Sequence, residues 1–180
     1  VQAHDFSAYE KMKHAYRGNG AEAPPEVPDL GVWEDDDEPI EPRAWLLGNV
    51  FCRRYLSSLV AGGGVGKTAL RVAQALTLAT GRQLTGEHVF RRCRVLIVSL
   101  EDDRAELQRR LRAGRLYYGI TAEDVRGWLF LSTPGAKVGK LAEAKNGEVK
   151  VGTLEATLVA AIVRHKIDVV ILDPFVKSHG

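Results

Sequence analysis

The chain has 180 residues, 45% of them apolar and 27% charged, with 25 basic against 23 acidic side chains; this suits one globular domain with a core of ordinary size. Apolar stretches such as 169–172 are far too short to span a bilayer, and no secretory signal opens the chain, so no membrane partner and a cytoplasmic location are expected. Cys52 and Cys93 lie in no metal-ligand spacing and are expected to be free thiols near strand ends.

The near-neutral total hides an asymmetry. Residues 1–42 hold 11 acids, 3 bases and five of the seven prolines, whereas residues 43–180 hold 12 acids and 22 bases. The first part, containing "AEAPPEVPDLGVWEDDDEPIEP", has no sustained helical or strand period and is expected to be a flexible acidic arm. Within it, "HDFSAYEKMKHAY" has the pattern of a short amphipathic helix. The acidic run Glu34–Glu38 reads as a solvated tether more readily than as a mimic of nucleic-acid charge. The start at Val1 is the mark expected of a fragment or a processed chain.

From Arg43 onward, apolar strands alternate with amphipathic helices, the pattern of an α/β domain built on a parallel sheet. "YLSSLVA" (55–61) reads as a buried strand running into the glycines of "GGGVG". "KTALRVAQALTLAT" (67–80) reads as the helix leaving them, with Leu70, Ala73, Leu76 and Leu78 on its core face and Gly81 as its stop. "RVLIVSL" (94–100) is a second strand. "DDRAELQRRLRAGRLYYG" follows as a helix with Leu107 and Leu111 four apart, and Thr121 is expected to cap a short turn at "TAEDVR". "WLFLS" (128–132), "LEATLVAAIVRHK" (154–166) and "DVVILD" (168–173) read as strand, helix and strand. The stretch 133–152 is expected to be a loop or a small hairpin.

The order of strand, glycine loop and helix explains the glycines. In "AGGGVGKT" the backbone N–H groups of Gly62, Gly63, Gly64, Val65, Gly66, Lys67, Thr68 and Ala69 are placed to surround a phosphate at a helix N-terminus, where a side chain would obstruct the approach. Lys67 would reach the β- and γ-phosphates of ATP, and the Thr68 hydroxyl would bind Mg²⁺. Ala61 stands where glycine is more usual. Asp173, delivered by the "VVILD" strand, would hold the Mg²⁺ water shell opposite Thr68. Pro174 follows Asp173 and offers no carboxylate, so the base is sought in "LIVSLEDD": Glu101 at the end of a neighbouring strand, with Asp102 as the alternative. Asp103 reads as an acid complementing a helix dipole.

Together, "AGGGVGKT", "SLEDDRAELQRRL" and "DVVILDPFVKSH" resemble the RecA-like P-loop ATPases, and more closely the branch with the plasmid RepA-type hexameric replicative helicases and related phage or mobile-element AAA family ATPases. The resemblance covers about Pro42–Gly180. It implies a RecA-like parallel sheet flanked by helices, C-terminally incomplete, with the Glu after the second strand as catalytic base and the strand-end Asp on the metal. It also implies a hexameric homo-oligomer acting on single-stranded DNA, each ATP site being completed by a neighbour's arginine from beyond Gly180.

The basic side chains give the DNA expectation partial support. Arg104, Arg109, Arg110, Arg112 and Arg115 crowd one helix, and Arg91, Arg92 and Arg94 precede a strand, although arginines on a helix also serve as a solvated face. Tyr117 and Tyr118 are expected to pack rather than to stack on bases, and His165 to be inert. His179 follows the last strand, where a γ-phosphate sensor could sit. Two readings result: a single-stranded DNA translocase, or a nucleotide-dependent regulatory or assembly ATPase.

Overall fold

The computed structural model describes residues 38–134, 140–145 and 148–178, and every element below lies in the unit Pro42–Gly180. The expected helix at 4–16, most of the acidic run 34–38, and His179 fall outside the described residues.

Three parallel strands form the centre: β3 (Val95–Ser99) lies between β4 (Leu129–Ser132) and β7 (Val169–Asp173). All five residues of β3 are buried, as a strand covered on both faces requires. The alternation of side chains divides the core. Val95, Ile97, Val169 and Ile171 face a cluster with Val72, Ala75, Leu76, Leu107 and Leu111, while Leu96 and Val98 face Leu154 and Leu158. Each fully buried aliphatic side chain contributes roughly 1.5–3 kcal/mol.

The first cluster is supplied by α1 (Lys67–Thr80) and α2 (Arg104–Tyr117). Gly81 ends α1 in the left-handed conformation, as expected of a glycine stop. Leu76 and Leu78 of the expected core face are fully buried and Ala73 is half-buried, together with Val72, Ala75 and Ala79, whereas Leu70 in the first turn is 40% exposed. The C-terminal half of α1 is enclosed between sheet and α2, and its first turn stands at an open cleft. The two helices approach closely because Gly114 has no side chain; a Cβ there would lie 3.0 Å from Leu76 Cδ1 and 3.3 Å from Val72 Cγ1.

The short α3 (Ala122–Val125) begins at the expected Thr121, whose side chain and Asp124 form a capping box. On the other face, α4 (Thr153–His165) leads into β7. The stretch before α4, expected to be a loop or a small hairpin, contains a hairpin, β5 (Ala142–Lys145) against β6 (Glu148–Val151). The Leu141 N–H donates to Ser178 O at 2.6 Å, tying the hairpin to a 3₁₀ turn, Phe175–Ser178. A small antiparallel pair, β1 (Trp45–Leu47) with β2 (Phe51–Cys52), precedes the glycine loop. Cys52 and Cys93 are free and buried.

One expected element is absent. Residues 55–61 form no strand, and Tyr55, Leu56 and Val60 are 63%, 87% and 89% exposed. A strand is stabilised by a paired neighbour and by cover on its faces. Here a cleft of about 470 Å³, lined by Leu56–Ala61 on one side and Val170–Asp173 on the other, separates the segment from the edge of β7.

Candidate functional site

The glycine loop leads directly into α1. Gly64 and Gly66 have φ of 74° and 90°, the left-handed region that L-residues with a Cβ rarely adopt. Gly66 is the N-cap, and no side chain caps the helix, so its first N–H groups face the loop in the arrangement that suits an anion. Gly62, Gly63, Gly64, Val65 and Gly66 are exposed, and so is Ala69 on the first turn. The Lys67 ammonium folds back over the loop, donating to Ala61 O at 2.8 Å and Gly62 O at 2.5 Å.

Thr68 and Asp173 meet although 105 residues separate them: the Thr68 hydroxyl donates to Asp173 Oδ2 at 2.8 Å. The sheet register sets this up. Ser99 pairs with Asp173, the Leu100 N–H donates to Asp173 O at 2.9 Å, and the C-terminal ends of β3 and β7 are therefore flush beside the start of α1. Glu101 follows that edge and is exposed, whereas Asp102 is half-buried. A small cavity of about 10 Å³ has Thr68, Arg71, Ser99, Asp102 and Asp173 as its polar lining, and Glu101 is not part of that lining.

Arg71 is a residue the motifs did not indicate. Burial pulls its guanidinium below the usual arginine range, and the Asp173 charge opposes that shift. It donates to Gln74 Oε1 at 2.8 Å and lies 5.4 Å from the centroid of the Phe51 ring. Its signal in the sequence is spacing: three and four residues after Thr68 and Lys67, it shares their face of the helix.

The donor set fits a hard divalent cation. Thr68, Asp173, Asp102 and Ser99 offer oxygen only, the ligand type of Mg²⁺, which keeps several waters and relies on one or two carboxylates plus substrate phosphates. Among the described residues there is no group of three or more His, Cys, Asp or Glu that could hold a metal ion.

The expected basic surface is largely engaged in holding the fold. Asp168 pairs with Arg91 and Arg53 and accepts the Arg94 N–H at 2.9 Å. Arg92 donates to Ala79 O at 2.8 Å, and Arg92 and Arg94 lie 4.1 Å and 5.0 Å from the Trp128 ring centroid. These groups sit at the N-terminal ends of the strands, the edge opposite Asp173. On α2, Arg109 and Arg110 pair with Glu106, Arg104 and Arg112 are exposed, and Tyr117 is 83% exposed rather than packed. His165 lies against Phe130, with ring centroids 5.0 Å apart.

No helix among the described residues is long and apolar enough to cross a membrane. No curated protein and no solved structure matches the chain. A family model described as "AAA domain" matches residues 21–180. The match embraces the glycine loop, the parallel sheet and both strand-end acids, and the chain belongs to this AAA family of nucleotide-binding P-loop ATPases.

Proposed function

We propose that the chain binds ATP through the N–H groups of Gly62–Ala69 and hydrolyses it with Lys67, Thr68, Asp173 and Glu101 in the roles their chemistry suggests. The 2.8 Å hydrogen bond between Thr68 and Asp173 carries this reading, because it joins two motifs distant in sequence at the mouth of an anion-ready helix. Lys67 exchanges its two loop carbonyls for β- and γ-phosphate oxygens. Thr68 and Asp173 hold the hydrated Mg²⁺ that comes with the nucleotide and neutralises charge on the phosphates. Glu101, exposed two residues beyond the end of β3, orients the attacking water and takes its proton.

In the finer reading, the assembled ATPase is a ring, a hexamer by the resemblance, that translocates single-stranded DNA across the arginine face of α2. The exposed Arg104 and Arg112 support it, since a polyanion is drawn to unburied basic side chains. The regulatory or assembly alternative is favoured by a different observation: Arg91, Arg109 and Arg110 are already paired with acids of the chain.

Steady-state ATP hydrolysis with and without single-stranded DNA separates these readings. Stimulation by DNA is the result expected of a motor, and nucleotide-dependent oligomers without stimulation indicate the switch. Lys67→Ala is expected to abolish nucleotide binding or turnover. Glu101→Gln is expected to keep nucleotide binding and to lose turnover by roughly 10²–10⁴-fold; normal turnover in that variant removes Glu101 from its role.

A further inference from the structure

Asp102, and not its neighbour Glu101, lines the small cavity beside Thr68 and Asp173, and it is held there. Its own N–H donates to Ser99 Oγ at 3.0 Å, which fixes the turn leaving β3. Its carboxylate lies 3.2 Å from Arg110 Nε, with the acid side chain 21% exposed. Arg110 comes from the second turn of α2 and also pairs with Glu106 at 3.0 Å. The result is a carboxylate in the lining of the same small cavity as Thr68, Ser99 and Asp173.

Two carboxylates around one cavity repel each other unless each has a counter-charge. The chain supplies one to each: Arg110 beside Asp102 and Arg71 toward Asp173. A divalent cation placed between the acids would provide the same compensation more strongly. The cavity has about the volume of one water position, and Val72, Ile97, Leu107 and Ile171 complete its lining, so the polar groups have room for a single water between them and none for direct ligation of a hydrated cation.

We propose that Asp102, positioned by Arg110, is a second carboxylate of the nucleotide site, accepting hydrogen bonds from the water shell of the divalent cation opposite Thr68 and Asp173. The inference rests on the nucleotide-binding reading above. It gives Asp102 a task separate from that of Glu101: Asp102 orders the cation's waters, and Glu101 serves the attacking water.

The test uses Mn²⁺ as the probe cation. Its binding in the presence of saturating ADP is followed by electron paramagnetic resonance for the unaltered chain, Asp102→Asn and Arg110→Gln. Cation-free ADP binding in chelator and thermal melting are measured alongside. Asp102→Asn is expected to weaken Mn²⁺ binding by about 10-fold or more, the usual cost of losing an outer partner of a metal site, with cation-free ADP binding retained. Arg110→Gln is expected to give a smaller loss in the same direction. Unchanged Mn²⁺ affinity in Asp102→Asn, with ADP still bound, overturns the proposal and leaves the nucleotide reading standing. Joint loss of melting stability and cation-free ADP binding marks a merely structural Asp102 and also overturns it. If Asp102→Asn does not fold, Arg110→Gln decides by the same titration, an unchanged affinity being fatal. Failure of the unaltered chain to bind ADP at all removes the nucleotide reading, and this inference with it.

Discussion

The Thr68 hydroxyl and the Asp173 carboxylate are hydrogen-bonded at 2.8 Å, so the first turn of α1 and the last residue of β7 share one polar contact at the C-terminal edge of the sheet. If both then serve the nucleotide's cation, removing either acts on turnover more than on binding. Thr68→Ala and Asp173→Asn are each expected to lower Mg²⁺-dependent ATP turnover by about 100-fold, equivalent to about 2.7 kcal/mol in the barrier. Cation-free binding of a fluorescent ADP is expected to change little. Full turnover in either variant contradicts the assignment.

The close contact of α1 with α2 depends on a missing side chain. Gly114 faces Leu76 and Val72 at distances that leave no room for a branched residue, and Leu76 is fully buried. Gly114→Val is expected to destabilise the fold by about 1–3 kcal/mol through overpacking, read as a lower urea midpoint with an unchanged slope. A neutral result would mean that the two helices can separate without cost.

Asp168 fastens the opposite edge of the sheet. Its partners Arg53 and Arg91 have side chains 50% and 48% exposed, so those ion pairs contribute little on their own. The Arg94 N–H is the group that loses its acceptor when the carboxylate goes. Asp168→Ala is expected to cost roughly 1.5–3 kcal/mol, the worth of a hydrogen bond to a charged acceptor, while Asp168→Asn, which keeps an acceptor, costs less. Equal losses in the two variants by chemical denaturation would show that charge, not hydrogen bonding, is what matters there.

The cap of α3 makes a pH-dependent contribution. Thr121 donates both its hydroxyl and its N–H to Asp124 Oδ2 at 2.7 Å, and these bonds hold the carboxyl below its ordinary range. A folded-state value below the unfolded one favours the ionised form in the native state. The stabilisation is therefore complete above the ordinary carboxylate range and is lost as pH falls through the lowered value. The difference in melting temperature between the unaltered chain and Asp124→Asn is expected to be present at neutral pH and to shrink as pH falls through the lowered carboxyl range. A constant difference across that interval rejects the linkage.

Local chemistry made much of the molecule legible. The α1 span follows from glycines at both ends and apolar spacing between them, and Gly66 and Gly81 both adopt the left-handed conformation. The sheet strands follow from short apolar runs, and Thr121 from its cap pattern. The glycine loop with Lys67 and Thr68 pointed to an anion site because the geometry it needs is encoded within about eight consecutive residues.

Other features required distant parts of the chain to be brought together. The apolar pattern of residues 55–61 is compatible with a strand, but a strand exists only where a partner edge is within hydrogen-bonding reach, and a cleft lies there instead. Leu70 fits the helical period, yet only the position of sheet and α2 decides how far along α1 the cover extends, and it leaves the first turn open. The sequence puts Glu101 ahead of Asp102 as the candidate base but offers no reason to expect Asp102 on the cavity. The turn bonded to Ser99 and the reach of Arg110 place Asp102 on the cavity and leave Glu101 exposed. Sequence determined which groups could form a loop, a cap or a buried strand, because those depend on near neighbours. Tertiary structure decided which faces were covered and which acids met, because burial and pairing depend on residues far along the chain.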